Sequence, residues 1–222
     1  MHQNFLKNLK TRLFTAIPLL AAGALIHFYA PWWALTAIAT AVALWILIVE
    51  WPQLVSPKTL FFWIVTPFYP TLPLLILILF ARHQLTVPLI ILIFIHDSAA
   101  YLAGNIWGKH KLAPTLSPKK TWEGFMGGIV GIYCALIVKG YSSTYFSVKA
   151  ACGLLIVAFI ISVVATLGDL LESWFKRRAG VKDSGSLLPG HGGLLDKVDS
   201  IIIAVPFCII LLFIAFRNLG LI

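Results

Sequence analysis

The stretch LTVPLIILIFIHDSAAYLAGNI, residues 85–106, is a long apolar run interrupted near its middle by one carboxylate, Asp97. About 20 apolar residues in a helix are enough to cross ~30 Å of hydrocarbon. Only a helix or a closed barrel satisfies its backbone hydrogen bonds in that medium, and a run of this length without strict alternation reads as a helix. A carboxylate at such depth costs roughly 3 kcal/mol unless it is paired, hydrated or bound to a metal. Asp97 is therefore a candidate functional residue as well as a topological landmark.

Outward from this run, the pattern repeats along the chain. Seven spans are expected, at about 12–30, 32–51, 59–81, 85–106, 122–139, 149–172 and 199–216. The 222 residues are 60% hydrophobic and only 11% charged, with a mean hydropathy of +0.94. A soluble domain carries about twice that charged fraction. The fold class expected is all-α, a polytopic transmembrane bundle, with residues 1–222 forming a single domain free of internal repeats or linkers. The first run lacks a small-residue cleavage site and is followed by further spans, so it reads as a span rather than a cleaved leader. Pro67, Pro70 and Pro73 predict a kink or break in the third span. Cys134, Cys152 and Cys208 lie in apolar runs without metal-ligand spacing and are expected to be small core residues.

The formal charge of +9 would suggest a nucleic-acid partner in a soluble protein. Here the positions of the charges point elsewhere. With the N-terminus inside, all Lys and Arg residues except Arg82, Lys139, Lys149 and Arg217 fall on the cytoplasmic side, a positive-inside bias that predicts an N-in, C-out arrangement. Anionic headgroups also favour this basic balance, and no nucleic-acid partner is expected.

The acids are concentrated. Asp97 and Glu123 flank the loop GNIWGKHKLAPTLSPKKTWEG, residues 104–124; Asp169, Glu172, Asp183, Asp196 and Asp199 lie in or beside GDLLESWFKRRAGVKDSGSLLPGHGGLLDKVD, residues 168–199. Glu50 stands apart, at the inner end of the second span, where an interfacial position is expected. Both acidic stretches meet the cytoplasmic side of the predicted map. Structural ion pairs with nearby Lys or Arg are one account of Asp97 and Asp169, but they leave unexplained why cations and glycines share the same loops. Glycine-rich backbone lets N–H groups approach an oxyanion, and lysines add mobile positive charge, a combination suited to phosphate. Neither loop contains GxxxxGK[ST], which excludes a P-loop.

Asp196 and Asp199 share one helical face if the last span begins there, and Asp169 and Glu172 have the same spacing. Hard oxygen donors so spaced suit Mg²⁺, which binds one or two carboxylates together with substrate phosphates. N-capping is the alternative for Asp196 and Asp199. It does not extend to Asp169, which lies toward a helix C-terminus where a carboxylate needs an offsetting cation. His191, in PGHGG, is a metal ligand, an acid–base group or a phosphate donor; without a second His at ligand spacing, zinc is not expected. His96 beside Asp97 reads as its intramembrane partner. Most of the eight Trp read as interfacial anchors or packing residues, Trp32, Trp33 and Trp51 lying at span ends.

The second loop closely resembles the signature of bacterial phosphatidate cytidylyltransferases: Ser173, Lys176 and Arg177, then Lys182-Asp183-Ser-Gly, then Pro189-Gly190-His191-Gly192-Gly193-Leu-Leu-Asp196-Lys197-Val-Asp199. Gly168-Asp169-Leu-Leu-Glu172, Asp97-Ser-Ala-Ala-Tyr101 and Ser117-Pro118-Lys119-Lys120-Thr121-Trp122-Glu123-Gly124 are similar to that family as well. The likeness covers residues 97–200. Lys197 departs from it, standing where the family usually has Arg, and a lysine lacks the planar bidentate fork. The chain is also short before residue 60 relative to longer members.

The resemblance implies Mg²⁺, alone or with a second cation, a homodimer, and a site facing the cytoplasm from a bacterial inner membrane. It implies CTP and phosphatidic acid as substrates, and CDP-diacylglycerol and pyrophosphate as products. Asp169 and Asp196, helped by Asp199, would hold the metal, with Asp97 as a further ligand or as an orienter of a lysine. Lys176, Lys182 and His191 join them as catalytic candidates, and Ser117, Lys119, Lys120, Arg177, Asp183, Gly192, Gly193 and Lys197 as substrate-binding candidates. Two other readings compete. One is a different CTP-using membrane lipid enzyme, such as a lipid-alcohol kinase or an ether-lipid cytidylyltransferase. The other is a transporter, which would spread its acids along several spans instead of gathering them beside lysine–glycine loops.

Overall fold

The computed structural model describes residues 32–81, 86–141, 148–187 and 192–218; the expected first span lies outside them. Helix α1 (Trp32–Trp45) runs through a π-helical turn, Ile46–Glu50, into α2 (Trp51–Leu54). Helix α3 (Leu60–Val65) begins at Thr59, whose hydroxyl caps the Phe62 N–H at 3.3 Å, and leads through a second π turn, Pro67–Thr71, into α4 (Leu72–Phe80). The break falls where the prolines predict it, with Tyr69 in an extended conformation inside the turn. Next come α5 (Thr86–Trp107), a hairpin of β1 (Lys111–Ala113) and β2 (Ser117–Thr121), α6 (Trp122–Tyr141), α7 (Val148–Arg178) and α8 (Leu195–Asn218).

Among the described residues, four helical stretches are long and apolar enough to cross a membrane: Trp33–Leu54, Leu60–Phe80, Thr86–Trp107 and Ala151–Arg178. Large side chains such as Ile48, Leu79, Val130, Ile156 and Phe159 point outward from the bundle. In water such a surface would aggregate; in a bilayer it is the solvated face. The molecule is a helical integral membrane protein, all-α except for the short antiparallel hairpin, which pairs Lys111 with Thr121 and Ala113 with Ser117.

Between apolar helices in lipid, packing rather than hydrophobicity drives association, and small residues permit the closest approach. Helices α5 and α6 meet this way. A Cβ on Gly127 would lie 2.3 Å from the Ala103 Cβ, and one on Gly124 would lie 2.8 Å from the Ala100 carbonyl oxygen. Helices α7 and α8 cross at Gly168, where a Cβ would come within 2.9 Å of the Asp199 carbonyl oxygen. This crossing carries Asp169 to the start of α8. One core cluster joins α5–α8 through Ile93, Ile132, Ala158, Ala165, Ala204 and Val205. The other ties the α1–α4 half to the ends of α7 and α8, around Trp51, Tyr69 and Phe175. Trp51 packs edge-on against both rings and donates its indole N–H to Thr66 Oγ1 at 2.8 Å.

Of the two roles open to Trp51, packing is the one it takes: it is fully buried, with its ring edge-on to Phe175. One expectation changes. Only Cys208 is a core cysteine; Cys134 and Cys152 are exposed on outward faces of α6 and α7, where the medium is apolar and burial within protein is not required.

Candidate active site at one end of the bundle

The hairpin and the end of α7 are fastened together. Along β2, Lys119 is exposed while Lys120 turns inward, and Lys120 Nζ lies 2.5 Å from Asp169 Oδ2. One helical turn on, the Ser173 hydroxyl donates to Asp169 Oδ1 at 3.4 Å. Arg177 Nε donates to the Leu116 carbonyl at 3.3 Å, a second tie between the two motif loops. The base of the hairpin is set by buried Thr121, whose hydroxyl accepts the Gly124 N–H at 3.1 Å, and by the 2.6 Å contact of His110 Nδ1 with Glu123 Oε1.

Helix α5 supplies Asp97. Its Oδ2 accepts the Ser200 hydroxyl of α8 at 3.0 Å, and its Oδ1 meets Nδ1 of buried His96 at 3.0 Å. Asp199, whose Oδ1 accepts the Ser200 N–H at 2.7 Å, is within electrostatic reach of Asp97, Asp169 and Lys120. Three carboxylates from three helices thus converge, with Lys120 the nearby cation.

Beside them, Lys176 forms ion pairs with buried Glu172, one turn back on α7, and with Asp196 Oδ1 at 2.7 Å. Asp196 Oδ2 accepts the N–H groups of Ser184 at 2.8 Å and Gly193 at 2.7 Å. Asp196 sits in the first turn of α8, ahead of its apolar stretch. Burial alone would raise its carboxyl pKa, but the Lys176 ammonium and the Gly193 N–H hold it below the ordinary carboxylate value. Gly192 has φ +85°, and a Cβ there would strike Asp196 Oδ2 at 2.4 Å, so this turn requires glycine on two counts.

Glu50 is the residue that sequence reasoning misplaced. It is 1% exposed rather than interfacial, and its carboxylate accepts three donors at the start of α8 and in the preceding loop and a fourth from the Trp45 indole. The available signal was its charge inside an apolar run, the same cost that singled out Asp97.

The structure therefore brings Asp97, Asp169, Asp199, Lys120 and Ser200 into one group, and Lys176, Glu172, Asp196, Ser184 and Gly193 into a second beside it. Lys119, Lys182, Asp183 and Lys197 are exposed around them, Ser117 is half-buried on β2, and His191 lies outside the described residues. Among the described residues no three His, Cys, Asp or Glu side chains form a metal cage by themselves. A magnesium ion needs only one or two protein carboxylates, completing its shell with phosphate oxygens and water. The donors are hard oxygens only, and Asp199 faces two other acids, an arrangement that a divalent cation would relieve. A zinc-type cage of His and Cys is absent among the described residues.

Carboxylates from three helices, with lysines and a tight glycine turn beside them, lie at one end of a bundle of apolar helices. The sequence matches the cytidylyltransferase family over residues 10–215, and the chain belongs to that family. It is 47% identical over 123 residues to a phosphatidate cytidylyltransferase of Staphylococcus saprophyticus, covering 55% of this chain and 46% of the relative. It is 46% identical over 119 residues to the Haemophilus influenzae phosphatidate cytidylyltransferase, covering 53% and 41%, and 46% identical over 123 residues to that of Staphylococcus aureus, covering 55% and 46%. The chain thus spans less than half the length of these relatives in the matched region.

Proposed function

We propose that this protein transfers the cytidylyl group of CTP to phosphatidic acid, releasing pyrophosphate and leaving CDP-diacylglycerol in the membrane. The observation that carries this reading is the Lys120–Asp169 contact beside Asp97 and Asp199: cations and carboxylates from the hairpin, α5, α7 and α8 meet where two polyanions would have to be held. The relatives' names supply the substrate class.

In the proposed reaction a phosphate oxygen of the lipid attacks the α-phosphorus of CTP, and the bond to the β-phosphate oxygen breaks. A phosphate monoester is already largely ionised near neutral pH, so no strong base is needed. The burden falls on positioning and charge. Lys120 and Lys176 pair with the site's carboxylates, Arg177 bonds to the hairpin backbone, and Lys119, Lys182 and Lys197 are exposed on the same motif segments, so that nucleotide and lipid phosphates would be drawn to one place. Ser117, Asp183, Gly192 and Gly193 would add polar and backbone contacts to the phosphates, with His191 next to the two glycines in sequence. Asp169 and Asp196, helped by Asp199 and with Asp97 beside them, would hold Mg²⁺, which supplies charge neutralisation for the triphosphate.

The proposal includes seven spans, an N-in and C-out topology, a site facing the cytoplasm from a bacterial inner membrane, and a homodimer. The basic residues clustered at the site end of the bundle support the orientation. The test is incubation of purified protein with labelled CTP and phosphatidic acid, with and without Mg²⁺. Magnesium-dependent appearance of liponucleotide and pyrophosphate in equal amounts is expected. Release of CDP with a phosphorylated lipid would instead identify a kinase and reject the reading.

A further inference from the structure

We infer that Glu50 is a positioning residue for this site, a carboxylate from the α1–α2 helix that caps the start of α8 and ties Ser184 to it. Glu50 Oε1 accepts the Leu194 N–H at 2.7 Å and the Trp45 indole N–H at 3.1 Å. Oε2 accepts the Leu195 N–H at 2.7 Å and the Ser184 hydroxyl at 3.2 Å. The first N–H groups of a helix have no intrahelical acceptor and carry partial positive charge. Here two such groups are satisfied by a side chain more than 140 residues away in sequence.

Three local features make this arrangement. The π turn Ile46–Glu50 brings Trp45 and Glu50, five residues apart, onto the same face, and π turns of this kind recur at functional sites. Gly193 and Gly185 leave the space the carboxylate fills: a Cβ on Gly193 would lie 2.6 Å from Glu50 Oε2, and one on Gly185 would lie 3.1 Å from Oε1. The acceptor chemistry also selects Glu over Gln. A carboxylate accepts at both oxygens, whereas a carboxamide would point N–H groups at donors on one side.

The consequence reaches the reacting groups through the loop. Ser184 and Gly193, adjacent to Glu50's donors or among them, also supply the two N–H groups that orient Asp196, and Asp196 in turn holds Lys176. Glu50 hydrogen-bonds to Trp45, Ser184, Leu194 and Leu195 and lies against Gly193, so it acts on the acidic and basic side chains of the site through this loop. The inference rests on the proposed function only in taking this loop to be part of the active site.

The experiment compares wild type, Glu50→Gln and Trp45→Phe as purified full-length proteins, reading amide hydrogen exchange at 193–195 and cytidylyl transfer in parallel. Ile132→Ala, a core truncation in α6, serves as the destabilised control. Glu50→Gln is expected to speed exchange at Leu194 and Leu195 and to lower kcat by about tenfold or more. Trp45→Phe, which removes one donor from Oε1, is expected to shift both in the same direction by less, and it carries the test if Glu50→Gln does not fold. Ile132→Ala lowers the melting temperature without selective exchange at 193–195. Unchanged exchange in Glu50→Gln overturns the inference, as does faster exchange with wild-type turnover. A wild type that makes no liponucleotide rejects the proposed function, whereas the exchange comparison still judges the cap.

Discussion

Lys120 and Asp169 stand 2.5 Å apart although one belongs to a hairpin and the other to a long membrane helix. Neither partner is deeply buried, their side chains being 23% and 30% exposed. A half-solvated pair of this kind adds little to stability, on the order of 1 kcal/mol or less. In the proposed reaction its value would lie in presenting a cation and a carboxylate to the same incoming phosphate.

Replacing Lys120 by Ala should therefore leave the melting temperature nearly unchanged while weakening substrate use. A rise in KM for CTP or phosphatidic acid is expected in steady-state assays. A large stability loss with unaltered kinetics would show the contact to be structural instead.

Asp169→Asn and Asp196→Asn should fold and yet lose at least about 2 kcal/mol of transition-state stabilisation, roughly 30-fold in kcat/KM. Magnesium titration of each variant should show a raised half-saturating concentration. Near-wild-type turnover by Asp169→Asn would remove it from the metal set.

Gly168→Ala tests the α7–α8 crossing. Its new Cβ would meet the Asp199 carbonyl at 2.9 Å and the Ser200 Cα at 3.3 Å, both backbone atoms that cannot rotate aside. The helices must separate, moving Asp169 relative to Asp199 and Ser200 relative to Asp97. Activity should fall more than stability does, and an unaffected kcat would show that the spacing of these acids is not critical.

Gly127→Ala and Gly153→Ala form a matched pair. The first drives a methyl to 2.3 Å from Ala103 and should destabilise the bundle by about 1–3 kcal/mol. The second meets nothing within 4 Å and should be neutral or stabilising by up to about 1 kcal/mol, the helix-propensity gain of Ala over Gly. Thermal unfolding in detergent separates them, and equal effects would mean that the close α5–α6 contact carries no special weight.

The sequence by itself determined that this chain is a helical membrane protein, because apolar runs of spanning length leave the backbone few alternatives. It also singled out Asp97 and Asp169, which are costly in apolar helices, and the two loops where cations and glycines gather, all of which the structure brings to one end of the bundle. The proline-marked break between α3 and α4 was legible for an equally local reason: the missing N–H groups are written in the residue types.

What only the tertiary structure decided is pairing between distant segments. Lys120 rather than Lys119 faces Asp169 because of the pleat of β2. Ser200 reaches Asp97, and Asp199 lies beside Asp169, because Gly168 lets α8 cross closely. Glu50, which looks like an ordinary span-end acid, became the cap of α8 through a π turn whose phase shift no residue type announces. Periodicity and composition describe one segment at a time. The acceptor for a helix's first N–H groups, when it comes from another helix, depends on how the two pack.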